Sequence, residues 1–168
     1  MKSLFFALSL ICAMPAFAET ELKEAPQIVS DKQQIENDKK TAKQKNKEGL
    51  AFLKQKNFYE AVGSFSEATS LDPDNAHYSN NYGLSMLKIG DPFSAIEMFK
   101  LALELGLTEA FVWNNLGMAY EHTNQLDEAR NAYMKASQKG NTSAEKNYQR
   151  IKNVKSLNVR ADSVGCGG

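Results

Sequence analysis

Apolar and polar positions alternate along this chain with the period of a helix, and between residues 42 and 143 the alternation recurs every 34 residues. Setting Gly49, Gly83 and Gly117 in register also aligns Ala61/Ala95/Ala129, Phe65/Phe99/Tyr133 and Ala68/Ala102/Ala136. Four columns of small or aromatic residues in phase across three copies predict one unit used three times, each reading as two amphipathic helices joined by a turn. Such a unit leaves an apolar face uncovered unless a neighbour stacks on it. The pattern points to shared surfaces, and away from a pocket of catalytic groups.

Each first helix carries two stripes, clearest in the third copy. Trp113, Leu116, Gly117 and Tyr120 lie on one side, and Phe111, Asn114, Met118 and Glu121 on the other. At about 100° per residue the two sets face nearly opposite ways. The first set is expected to pack on the second helix of its own repeat, with Gly117 allowing a close approach; the second faces outward. Second helices are expected at residues 58–70, 92–104 and 126–138, where alanines alternate with aromatics as closely crossing helices require.

The punctuation agrees with this division. Gly90 and Asn124 suit the left-handed position that ends a helix, and Asp91 followed by Pro92 suits a helix start. Pro73 closes the first copy, and Thr108 is the expected cap of the third copy's first helix. Thr142 with Glu145 reads as a capping box for a terminal helix over residues 144–154, with Tyr148, Ile151 and Val154 on one face. That helix would cover the last copy and keep it soluble. The first copy is polar where the others are apolar, with Lys45 in the Ser79/Trp113 column and Glu48 in the Tyr82/Leu116 column, as an end repeat would be.

The chain outside the repeats changes the picture at both ends. Lys2, an almost wholly apolar run over residues 4–14, Pro15, and Ala16-Phe17-Ala18 have the form of an export signal cut before Glu19. The apolar run is well short of the ~20 residues of a spanning helix, so no membrane span is expected after cleavage. Residues 19–40 are rich in Glu, Lys, Gln and Asp, are interrupted by Pro26, and read as a charged, solvated linker, helical from Asp31 onward. Residues 156–168 end in a glycine-rich run around Cys166 and are expected to be a disordered tail. The resulting division is 1–18 signal, 19–40 linker, 41–75, 76–109 and 110–143 repeats, 144–155 capping helix, and 156–168 tail.

Charge and candidate chemistry narrow the function by exclusion. With Lys2 removed, the remaining basic residues nearly balance the 20 acidic ones, which gives no field to attract nucleic acid. Cys166 would be the one cysteine left after cleavage, so no internal disulfide is expected. His77 and His122 lie in different copies without neighbouring cysteines, which is too few ligands for zinc. No metal, cofactor or catalytic residue is expected, and an enzyme is disfavoured.

With the helix pair, the period and the columns established, the chain resembles the tetratricopeptide repeat family. The resemblance rests on Trp113-x-x-Leu116-Gly117-x-x-Tyr120, Tyr82-Gly83, the alanine columns and Leu71-Asp72-Pro73, and departs where Leu107 and Asn141 replace the closing proline. It implies an all-α fold, a right-handed α-solenoid of three helix-turn-helix repeats plus a C-terminal capping helix. It also implies a concave groove, lined mostly by the first helices, that binds a peptide or protein segment. On this chain the groove residues are Lys43, Asn46, Leu50 and Leu53, then His77, Asn80, Leu84 and Leu87, then Phe111, Asn114, Met118 and Glu121. An asparagine row, Asn46/Asn80/Asn114, runs beside an apolar row, Leu50/Leu84/Met118. Amides can donate to and accept from a partner backbone, while the apolar row removes partner side chains from water. A subclass of the family holds a terminal carboxylate with Lys and Arg. The matching places here hold Asn46, Leu50, Asn81, Phe111 and Asn115, so that activity is not expected. The expectation is an exported, periplasmic or secreted protein-interaction scaffold of the cell envelope; the alternative is a homo-oligomer that buries the same stripe against a second copy.

Overall fold

The computed structural model describes residues 16–154, with side chains from residue 30 onward. The expected export signal lies almost wholly outside the described residues, and the expected tail with Cys166 lies outside them entirely. The described chain is helical and contains no strand. Its helices are α1 (Ala16–Gln55), α2 (Phe58–Leu71), α3 (Ala76–Ile89), α4 (Pro92–Glu104), α5 (Ala110–His122), α6 (Leu126–Gln138) and α7 (Thr142–Ile151). Two compact units are distinguished, one ending at Asp38 and one beginning at Lys39.

In the first unit the chain is already helical at Ala16, well before Asp31. Ala, Glu, Lys and Gln are frequent in this segment and are among the best helix formers, so local propensity favours a helix that has little apolar periodicity; Pro26, expected to interrupt the segment, lies within the helix despite its unfavourable propensity. Gln34 Nε2 donates to Asp38 Oδ1 at 2.7 Å across one helical turn, and Ile35 is exposed.

The second unit is built from the pairs α1/α2, α3/α4 and α5/α6, followed by α7. The aligned glycines decide how closely each pair packs. A Cβ on Gly49 would come within 2.7 Å of the Phe65 ring, one on Gly83 within 2.9 Å of Phe99, and one on Gly117 within 2.6 Å of Tyr133. Each glycine is therefore the seat for the aromatic of its own second helix. All three aromatics are fully buried, as are Ala61, Ala95, Ala129, Ala68, Ala102 and Ala136. Between copies, Ala95, Ile96, Phe99, Leu116, Ala119 and Ala132 form one cluster. Ala129, Tyr133, Ala136, Ala144 and Ile151 form another, which joins α6 to α7.

Five of the helix ends, those of α1, α3, α4, α5 and α6, follow one rule. Gly90 and Asn124 have positive φ as expected, and Lys56, in the same column, joins them at 62°. The residue after each donates its N–H five residues back, from Asn57 to Phe52, Asp91 to Met86 and Gln125 to Tyr120, a Schellman closure. Gly106 and Gly140 allow the same closure at the ends of α4 and α6, with Leu107 donating to Ala102 O at 2.9 Å and Asn141 to Ala136 O at 3.0 Å. A proline has no N–H for that bond. This accounts for the replacement of the Pro73-type ending in the second and third copies.

Asp91 caps α4 by accepting from Ser94 N at 3.1 Å, with Pro92 in the first turn. Two expected caps differ. Glu109, not Thr108, stands at the start of α5 and makes no side-chain cap bond. Asn141, not Thr142, caps α7, because its Oδ1 reaches the Ala144 N–H at 2.9 Å. Glu145 instead accepts from Ser137 of α6. With α7 ending at Ile151, Val154 lies beyond it and is exposed, while Ile151 is buried.

Candidate functional site

With one side of each first helix seated on its partner, the opposite side forms a continuous first-helix face. Its middle is a chain of amides. Asn115 Nδ2 donates to Asn80 Oδ1 at 3.4 Å, Asn80 Nδ2 to Asn81 Oδ1 at 3.3 Å, and Asn81 Nδ2 to Asn46 Oδ1 at 2.9 Å. Asn147 of α7 continues the row by donating to Asn114 Oδ1 at 3.4 Å, and Asn114 Nδ2 approaches Met118 Sδ at 3.5 Å. The asparagines therefore link α1, α3, α5 and α7 side by side, which a free row of surface amides would not do. Asn80 is buried by this linkage, so it is less accessible than the expected groove position implies.

The remaining expected residues divide into exposed and supporting groups. Lys43, Leu50, His77 and Phe111 are exposed; Asn46, Leu53, Leu84, Leu87, Asn114, Met118 and Glu121 are half-buried. Leu84 and Leu87 also pack against the cluster around Phe99, and Met118 against that around Tyr133. These three present an edge while anchoring the face to the core. Leu50 and Phe111 keep 40% and 41% of their surface exposed.

Glu121 closes one end of the face. Its Oε1 and Oε2 accept from the Arg150 guanidinium at 2.5 and 2.8 Å, and Oε2 also accepts from the Tyr133 hydroxyl at 2.9 Å. The Arg150 hydrogen bonds hold the Glu121 carboxyl below the usual carboxylate range, against the opposing effect of burial. Burial, followed by the Glu121 charge, pushes the Tyr133 hydroxyl up. Met118, Glu121, His122, Tyr133, Asn147 and Arg150 line a cavity of about 280 Å³ here. Asn81, Asn115, Asn147, Tyr133 and Arg150 were not among the expected site residues. The Asn80-Asn81 and Asn114-Asn115 doublets at the repeat spacing were the available signal for the first two.

Among the described residues, no group of three or more His, Cys, Asp or Glu is placed to hold a metal ion. No helix among them is long and apolar enough to cross a membrane.

Glycine-seated helix pairs in phase, completed by a single helix, define an α-solenoid of helix-turn-helix repeats. The chain belongs to the tetratricopeptide repeat family: two family profiles with that description match it, one over residues 46–110 and one over 110–140. A comparison with curated proteins gave no match. Among solved structures, the Arabidopsis OM64 TPR domain is 21% identical at a TM-score of 0.66, with 68% of this chain and 97% of that one covered. The second TPR domain of human RPAP3, in complex with the HSP70 peptide SGPTIEEVD, is 21% identical at 0.63, with 70% and 98% covered. The yeast Sti1 TPR2B domain, in a pHsp70 complex, is 17% identical at 0.63, with 67% and 96% covered. At these identities the likeness establishes the fold.

Proposed function

We propose that this chain is an exported, non-enzymatic adaptor of the cell envelope that binds a peptide or protein segment along its first-helix face. The observation that carries the proposal is the row Leu50/Leu84/Met118, in register across three copies, with Leu50 exposed, Leu84 and Met118 half-buried, and the exposed Phe111 close by in the adjoining column. A monomeric solenoid has no need to leave that stripe open. Supporting it, structures of similar fold hold HSP90 or HSP70 peptides. The terminal-carboxylate mode is set aside here, because its matching places hold Asn46, Leu50, Asn81, Phe111 and Asn115, with none of the Lys and Arg that mode uses. The envelope assignment rests on the export pattern of residues 1–18.

The test is a Leu84→Glu/Met118→Glu double variant. Partner capture by chemical crosslinking in envelope extracts should be lost, with helicity by circular dichroism retained. The same partners recovered at the same yield would contradict the assignment.

A further inference from the structure

The first-helix face carries charge of essentially one sign. Lys54, Lys88 and His122 form a column in the last turns of α1, α3 and α5. Lys43 and His77 share a column at the other end of the stripe, and Lys47 stands in the column of Asn81 and Asn115. All six basic residues are exposed. Among the described residues, none of the four lysines is in an ion pair. The acid in these columns is Glu121, and its oxygens are already engaged by Arg150 and Tyr133. Cations in a last turn complement the helix dipole, but Lys43 and Lys47 lie in the interior of α1, where that account fails.

The amides add hydrogen-bonding groups to this face. Asn46, Asn80, Asn81 and Asn114 each use their oxygen as an acceptor within the row. A primary amide has two N–H groups and an oxygen with two lone pairs, so the half-buried Asn81 and Asn115, which give one N–H each to the row, keep hydrogen-bonding capacity. The face therefore offers amides and positive charge around an apolar strip.

Resting on the polypeptide-binding reading above, we infer that the segment bound is acidic and amphipathic. Its apolar side chains lie on Leu50, Leu84 and Met118, its carboxylates face Lys43, Lys47, Lys54 and Lys88, and its backbone groups hydrogen-bond to the amide row. Charge of this kind governs specificity and encounter rate more than total affinity. A terminal carboxylate is not required. A nucleic acid would meet the lysines but leave the apolar strip without a counterpart.

The experiment uses the full chain and fluorescein-labelled short peptides with both ends blocked: one of Glu and Leu, one with Lys for each Glu, and one with Ser for each Leu. A labelled single-stranded oligonucleotide is the fourth probe. Fluorescence anisotropy should show binding of the Glu/Leu peptide alone, weakened as salt is raised. The Lys54→Glu/Lys88→Glu variant should lose about tenfold or more in affinity, and Lys139→Glu, away from the face, should lose none. Equal or tighter binding of the Lys/Leu peptide or the oligonucleotide would overturn the acidic assignment, as would binding of none of the four. The Leu84→Glu/Met118→Glu crosslinking result judges the polypeptide-binding reading separately.

Discussion

A single absent methyl group governs how α5 meets α6. A Cβ on Gly117 would stand 2.6 Å from Tyr133 Cδ1 and Cε1, and the tyrosine is fully buried. Ala95, fully buried in the cluster around Phe99, is the same kind of contact one copy earlier. Gly117→Leu and Ala95→Phe should each overpack the stack and cost about 1–3 kcal/mol of unfolding free energy in urea denaturation. Wild-type stability in both variants would show that the columns do not set the packing. These residues were legible in the sequence because packing of this kind demands the same residue size at the same place in every copy. The Asn46–Asn81 and Asn80–Asn115 bonds were not, because each joins residues 35 apart, one off the repeat register, and depends on how neighbouring first helices lie side by side.

At the scale of the element, the second helices were readable nearly to the residue, since turn residues with a fixed backbone requirement bracket them. The start of α1 was missed because its helicity comes from propensity with little amphipathic pattern. The cap of α7 was misplaced by one residue because Asn141 and Thr142 are both competent caps and only the geometry selects Asn141. Docking of α7 also depends on charge. Glu121 is held below its ordinary range by Arg150, so its contribution to stability is complete above the unfolded carboxyl value and is lost as pH falls through the folded one. Groups facing it include Arg150, Tyr133 and His122. In thermal melts from about pH 6 down to pH 3, the wild-type protein should lose more stability than Glu121→Gln, which lacks the titrating group. Parallel loss in the two proteins would remove the carboxylate from the account.

For the whole molecule, the same helices serve two surfaces with different requirements. The inward surface repeats small and aromatic residues to make copies stack. The first-helix face varies from copy to copy, running Lys43/His77/Phe111 at one end and Lys54/Lys88/His122 at the other. That variation is why the fold was readable from periodicity while the face needed coordinates to reveal its amide row and its closure by Arg150. Site-specific photocrosslinking measures the central claim most directly, with a benzophenone amino acid placed in the full chain at Leu84 on the face or at Phe93, an exposed residue of α4. In intact cells, position 84 is predicted to give a polypeptide adduct that Met118→Glu removes, and position 93 to give none. Equal adducts from both positions, or an adduct from position 93 alone, would contradict that claim.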